Sequence, residues 1–527
     1  MNLIPLLVLS IILYGVLRLL EVRKCKITTS EPPIVYSRIP IVGHALGLFR
    51  YGVSYYRMLR EQTNLPILTV FLGLQKVYVV TSPALISQIN RRQKVIDSNP
   101  PFLTVVMGKL FSFHKNDLAE LLRNPNETGS LRRDTRTAEH SLLERGAAPL
   151  LEIFTGMMQE MVIQLNTLAS NGPVTIRLEG WLRETITMCT AKAVFGPNNP
   201  FAQDPSLMQD FWYGHSPTKT GSEEDSRMFK LKYITRVFES GLKGLTMGIF
   251  PELTASGPAR ARRRLVQAFH RFVQGEFIAR GETCELLRQV EDIAHQHNRG
   301  SDYLARYYLG IFSAFLLNTV PVTFWTISHI LQRADLLARI RTELDDVARE
   351  SVSTNGIRKR YLDVASIRER CPLFLSTFQE ILRYVGASTS TLLVHDDVWL
   401  DGTYLLTKGS LVQIPATAIH SDPKIWGPDA TTFDPERFLK AAPNQVHPSA
   451  SRTFGGGGTL CPGRHLASDE VLEVTALFLS TFKVGFEAES GRPRRDETGM
   501  LSAIKPKDDL LLRLTRYPAM GNVVWGA

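Results

Sequence analysis

The run Phe454-Gly455-Gly456-Gly457-Gly458-Thr459-Leu460-Cys461-Pro462-Gly463 sets one cysteine behind four consecutive glycines, with a helix-like pattern beyond it. Glycine has no Cβ, so the backbone of such a loop can approach a flat ligand or a sulfur closely and can adopt positive φ. Nearby backbone N–H groups and the start of a helix stabilise a thiolate, which is then a good soft metal ligand. Haem iron is the cofactor metal that takes one cysteine thiolate and no second protein ligand from the same loop. The plainer alternative is a glycine-rich surface loop with an incidental buried cysteine. A second constellation lies upstream. Glu380-Ile-Leu-Arg383 puts opposite charges at i and i+3 on one helix face. On a surface such a pair contributes little. Here Phe374, Phe378, Ile381, Leu382 and Val385 surround it, and a buried pair needs further hydrogen bonds to be tolerated. Arg437, within Phe433-Asp-Pro-Glu-Arg437-Phe438, is the candidate third partner.

Helices must carry most of these groups. Residues 372–384 read as a helix with Pro372 at its start and Gly386 past its end. Residues 469–482 read as a helix following the cysteine loop. Helical spacing also runs through 141–170, 181–195 and 334–350. Ile67–Val80 reads as two strands broken near Gly73, and 388–415 as short strands with a turn at Asp401-Gly402. The region 197–225, rich in Pro, Asn, Gly and Ser, reads as loop. Residues 300–332 form a long apolar stretch with Asn318, Thr319 and Pro321 at its centre. By composition it is either a second membrane span or a helix deep in a core. Polar groups and a proline at its centre are costly in lipid.

With 527 residues and a 44% hydrophobic fraction, the chain can bury a substantial core. Five scattered cysteines and no CxxC pair argue against a disulfide framework and a structural zinc site, and fit a reducing compartment. The net charge of +10 suits an acidic partner or an anionic membrane surface. The basic residues are dispersed, which argues against nucleic acid. Leu3–Leu20 is nearly all apolar and is followed by Arg23, Lys24 and Lys26. A run close to ~20 residues can span a bilayer, and the basic flank places the remainder in the cytosol. A cleavable signal would want basic residues before the apolar run and small ones at its end. The expected organisation is an anchor over 1–22, a basic and proline-rich linker over 23–45, and a catalytic domain over 46–527.

Taken together, the cysteine loop, Glu380-x-x-Arg383 and Pro435-Glu-Arg437-Phe438 resemble, in order and spacing, the three signature motifs of the cytochrome P450 family. The resemblance covers essentially the whole chain. It implies a mainly α fold with a small β-rich lobe, the triangular prism of that family, preceded by one transmembrane helix. The 300–332 stretch becomes the central helix over haem b, not a second span. Cys461 is implied as the axial thiolate, whose electron donation favours O–O cleavage. Phe454, Gly457 and Gly463 are implied to hold the cofactor. Glu380, Arg383 and Arg437 are implied as a buried structural triad. Implied partners are an NADPH-cytochrome P450 reductase, a lipophilic small molecule and the endoplasmic reticulum membrane, with the domain facing the cytosol. Family analogy assigns substrate contact to 100–115, 205–250, 387–394 and 498–504, including Phe102, Val105, Met107, Thr391, Leu392 and Leu501.

Two departures bear on chemistry. The family's Arg or His two residues before the cysteine neutralises a haem propionate; here Thr459 stands there. Arg464 and His465 follow the cysteine, where the pattern gives them no such role. In the central helix the usual Ala/Gly-Gly-x-Asp/Glu-Thr-Thr reads Ala314-Phe-Leu-Leu317-Asn318-Thr319, so Leu317 replaces the acid and Asn318 the first threonine; a register one residue later sets Asn318 at the acid and Thr319 at the threonine but loses Ala314. Asn318 and Thr319 are the catalytic candidates, able to orient water; the alternative for Asn318 is a helix-bending residue bonded only to backbone. The run from Asn318 to Trp325 is similar to the branch holding sterol 7α-hydroxylases and prostacyclin synthase, and the loop resembles filamentous-fungal members. The leading expectation is a monooxygenase acting on a terpenoid, steroid or polyketide-like intermediate of secondary metabolism. A peroxide isomerase or dehydratase and a non-enzymatic haem sensor are the alternatives.

Overall fold

The computed structural model describes residues 15, 29–212, 241–247, 255–275, 281–352, 358–440, 446–487, 491–499, 502–517 and 523–526. The expected anchor, part of the linker, most of 205–250 and Leu501 lie outside these. Helices dominate: α1 (Leu131–Leu142), α2 (Ala148–Thr167), α3 (Leu178–Phe195), α4 (Ser256–Gln274), α5 (Ser301–Leu316), α6 (Thr319–Leu331), α7 (Ala334–Val347), α8 (Pro372–Val385) and α9 (Arg464–Thr481). One apolar core runs through them. The helical spacing of 141–170 resolves into the end of α1 and all of α2, separated at Leu143–Ala147. There Gly146 takes positive φ and Pro149 starts the next helix.

The β-rich lobe is a mixed sheet of β1 (Ile67–Leu72), β2 (Gln75–Val80), β3 (Ile96–Asp97), β4 (Thr389–Val394) and β5 (Leu411–Pro415), in the order β1-β2-β5-β4-β3. β1 and β2 form the expected hairpin, with Ile67 opposite Val80 and Gly73 at φ 66° in the turn. Asp401 and Gly402, both at positive φ, turn the chain between Val398–Leu400 and Tyr404–Leu406. A second sheet joins Phe482–Phe486, Leu511–Arg516 and Val174–Arg177. The last of these strands had no signal in the sequence pattern.

Ser301–Leu331 is long and apolar enough to cross a membrane, but it is mostly buried inside the protein. It is also not one helix. α5 ends at Leu316, Leu317 and Asn318 form a turn, and α6 begins at Thr319. Pro321 has no N–H to offer the Leu317 carbonyl four residues back, so the ladder fails at that turn. Val322 resumes it by donating to Asn318 O at 3.2 Å.

Candidate functional site

The cysteine loop is shaped by its glycines at two points. Gly455 (φ 74°) faces the Thr459 carbonyl so closely that a Cβ would collide with it, and Gly457 (φ 56°) opens the tight turn to Thr459. Cys461 N then donates to Phe454 O at 2.9 Å and closes the loop. Burial pushes the Cys461 thiol up, while the Gly463 N–H and Arg464 pull it down. Both opposing groups stabilise a thiolate. α9 starts at once after Gly463, and Arg464 Nη1 donates back to Cys461 O at 3.1 Å. His465 turns away to pair with Arg145.

Glu380, Arg383 and Arg437 are brought together. Arg383 Nε and Nη2 reach the two Glu380 oxygens at 2.7 and 2.6 Å, and Arg437 Nε reaches both at 3.2 Å. Asp434 N donates to Glu380 Oε1 at 3.0 Å. Arg383 also donates to the carbonyls of His420, Ala430 and Thr432. Arg437 takes Asp429 and the Trp426 carbonyl. Glu380 is fully buried. Each charge in the cluster therefore has the hydrogen bonds that make burial tolerable.

On the other side stands the helix break. Ala314 is exposed and Phe315 and Asn318 half-exposed, in a helix whose other residues from Ile311 to Ile327 are all buried. These three lie at i, i+1 and i+4 and so share one open face. Leu317 is buried in the core. Asn318 Oδ1 accepts from Ala503 N at 3.1 Å, and Thr319 Oγ1 donates to Phe315 O at 2.7 Å. Trp325 Nε1 donates to Ile504 O at 2.7 Å. The 502–504 segment is in turn tied to the end of α8, Ala387 N to Ser502 O at 2.7 Å and Ile504 N to Val385 O at 2.9 Å. Thr453, beside Phe454, donates to Leu382 O. A continuous set of contacts thus joins the helix break to the cysteine loop.

Of the expected substrate-contact residues, Phe102 and Val105 are exposed, Met107 and Leu392 are buried and Thr391 is intermediate. Residues 103–110 form a wide π-type turn, a distortion frequent at functional sites. Asn126 accepts from Asn99 Nδ2 and donates to Asp97 Oδ2.

A haem fits this arrangement. Every residue from Thr453 to His465 is half-buried, Cys461 among them, while Arg452 before and Leu466 after are buried, so the loop is the less covered part of this segment. The Nε of Arg452 is buried with no hydrogen-bond partner. Together, this cysteine loop and the mainly helical fold define a haem-thiolate protein. The family model for cytochrome P450 matches residues 32–512, and the chain belongs to that family. It is similar to the cytochrome P450 monooxygenase nodJ of Hypoxylon pulicicidum, 27% identical over 86% of this chain and 83% of that one. It also resembles cholesterol 7-alpha-monooxygenase of Cricetulus griseus, 27% identical over 45% of this chain and 50% of that one. Among solved structures, retinoic-acid-bound cyanobacterial CYP120A1 superposes with TM-score 0.66 at 18% identity, covering 93% of this chain and all of that one. The chain is a cytochrome P450 monooxygenase, with haem held by a cysteine thiolate as its cofactor.

The sequence pattern missed Arg452, His420 and Ser390. Arg452 N donates to His420 Nε2 at 3.0 Å, and its Nη2 to Ser390 Oγ at 3.1 Å. Ser390 lies within the expected 388–415 strands, at an inward position where its hydroxyl gives no signal of a role, and Arg452 lies in a loop with no periodicity.

Proposed function

We propose that Cys461 is the thiolate ligand, and that the protein oxidises a lipophilic substrate, a terpenoid, steroid or polyketide-like intermediate of secondary metabolism. Electrons come from an NADPH-dependent reductase, and residues 1–22 hold the domain on the cytosolic face of the endoplasmic reticulum. The observation that carries this reading is the open Ala314–Phe315–Asn318 face in an otherwise buried helix, linked through the 502–504 segment to the half-buried cysteine loop. Ala314 and Phe315 give that face an apolar character, which suits a drug-sized lipophile. The relative from Cricetulus griseus is named for cholesterol.

Haem held by a thiolate supplies dioxygen activation and insertion of one oxygen atom into the substrate. The chain's residues do the rest. Phe454 would pack against the haem near the sulfur, Gly457 and Gly463 would let the backbone come close to it, and the Glu380 cluster holds α8 against the 429–437 segment. Leu317 leaves no carboxyl at the open face. Protons must therefore pass through water. Asn318 uses its carbonyl on Ala503, so its amide N–H groups are what remain to hold that water. The hydroxyl of Thr319 is committed to Phe315 O.

The test is reconstitution with reductase and NADPH against a panel of terpenoids and sterols. A substrate-induced spectral shift and an NADPH-dependent oxygenated product are expected, with turnover falling as salt screens the steering of an acidic reductase by a chain of net charge +10. No such product from the panel would count against the reading. Turnover of a hydroperoxide without NADPH would replace it.

A further inference from the structure

Thr459 cannot supply the cation that usually faces a haem propionate from its position, and the fold places another cation beside it. Arg452 is 1% exposed. Its Nη1 fills the notch over Gly456, where a Cβ would strike it. Its Nη2 donates to Ser390 Oγ at 3.1 Å, and Ser390 Oγ lies 2.8 Å from Thr459 Oγ1. The guanidinium is thus tied by one hydroxyl to the loop position that lacks charge. Its Nε has no partner, and among the described residues no carboxylate pairs with it. Burial alone lowers its pKa, to about 10, so it remains a cation at neutral pH.

A buried, charged arginine without an anion is costly unless a ligand supplies one. Of the other buried arginines, Arg383 has Glu380 and Arg60 has Asp422, while Arg132 donates to Asn99 and Arg262 to the Lys109 and Leu110 carbonyls; the Nε of Arg452 has no acceptor at all. Arg136, which also reaches the loop, donates to Gly458 O at 2.5 Å and has Asp97 and Glu139 in its surroundings. Haem b carries two carboxylates and seats against this loop. We propose that Arg452 is the cationic partner of a haem propionate, standing in for the charge absent at position 459, with Ser390 and Thr459 positioning it.

This rests on the haem-thiolate reading, so the red-shifted band of the reduced carbon monoxide complex is recorded first. Its absence in the wild type would sink that reading, whereas its presence leaves the propionate assignment to be judged separately. The decisive measurement is haem release to excess apomyoglobin, comparing native haem with haem dimethyl ester, whose propionates carry no charge. The wild type should release the ester roughly 10- to 100-fold faster than haem, the range for a charge-assisted hydrogen bond. Arg452→Gln should erase most of that difference, Arg452→Lys should keep much of it, and adding Thr459→Arg to Arg452→Gln should restore it. If Arg452 only props the Gly456 notch, Arg452→Gln speeds release of both cofactors equally, and the proposal fails. Equal release of the two by the wild type also overturns it. Should Arg452→Gln yield no holoprotein, recovery of holoprotein in the double variant supports the proposal, and failure to recover counts against it.

Discussion

The two sides of the site are built differently. On the thiolate side the Glu380 cluster is over-determined. Glu380 accepts from two arginines and a backbone N–H, and both arginines make further bonds to carbonyls or to Asp429. On the opposite side the central helix is interrupted, Asn318 makes a single bond through its carbonyl, and Ala314 is left exposed. A low-dielectric interior makes satisfied polar networks rigid and unsatisfied ones costly. The first side therefore fixes where the iron ligand stands. The second leaves an open face at Ala314, Phe315 and Asn318, where the proposed function places the substrate. The two departures from the family pattern fall one on each side, Thr459 with Arg452 near it on the rigid side and Leu317 with Asn318 on the open one.

The largest effect should come from the rigid side's one reactive group. Cys461→Ser should abolish the red-shifted band of the reduced carbon monoxide complex, together with NADPH-dependent turnover. Persistence of the band would remove Cys461 as the ligand and the comparison with it. Next comes the cluster that frames it. Glu380→Gln leaves Arg383 and Arg437 buried without their shared anion, which should cost about 3–5 kcal/mol in a denaturant titration and reduce the yield of haem-loaded protein. A loss below about 1 kcal/mol, the scale of exposed pairs, would show that the backbone carbonyls alone satisfy the two arginines.

How much of this was legible in the sequence depended on whether a residue's role is set locally. Glu380 and Arg383 were legible because the i, i+3 spacing and flanking Phe374, Phe378 and Ile381 place them on a buried helix face, as the structure shows. The β1–β2 hairpin was legible from its turn at Gly73. The division of the central stretch was half legible. Asn318, Thr319 and Pro321 marked its middle, but apolar composition on both sides concealed that the hydrogen-bond ladder is interrupted between Leu317 and Val322. Arg452 was not legible, because a lone arginine in a loop reads as exposed. Only the packing of α8, β4 and the cysteine loop buries it. The strand Val174–Arg177 was hidden for a similar reason, since its partner Leu511–Arg516 is far along the chain.

A smaller effect probes the rigid side by pH. His420 is 3% exposed and its Nε2 accepts from Arg452 N, so it is held neutral. Burial first, and Arg383 beside it second, lower its pKa from 6.5 to about 3. The unfolded chain binds this proton near pH 6.5, and the folded chain does not until about 3. The contribution is thus full above 6.5 and is lost as pH falls from there towards 3. His420→Gln keeps an acceptor for Arg452 N and cannot titrate. Between pH 6.5 and 5 its stability should fall less steeply than the wild type's, by up to one proton, about 1.4 kcal/mol per pH unit. Comparing variant with wild type matters because other groups titrate too. His329 is also lowered to about 3, and burial raises Glu473 to about 8, which has the opposite slope. Parallel curves for the two proteins would mean that protonated His420 is accommodated.

The smallest effect decides what the open side is for. Asn318 has two separable groups, a carbonyl bonded to Ala503 N and amide N–H groups with no partner among the described residues. Asn318→Ala removes both. Asn318→Asp keeps an acceptor for Ala503 and removes the N–H groups. If the carbonyl clamps the 502–504 segment while the N–H groups hold water, the two variants separate. Asn318→Ala should lose about 1 kcal/mol of stability and also divert NADPH consumption from oxygenated product to peroxide. Asn318→Asp should retain stability and show the diversion alone. A carboxylate placed at the open face could also relay protons directly, so improved coupling in Asn318→Asp would mean that proton supply limits the natural chain. Unchanged coupling in both variants, with stability lost only in Asn318→Ala, would make Asn318 a clamp. The open side would then owe its chemistry to its shape and its water, with no contribution from a side chain at this position.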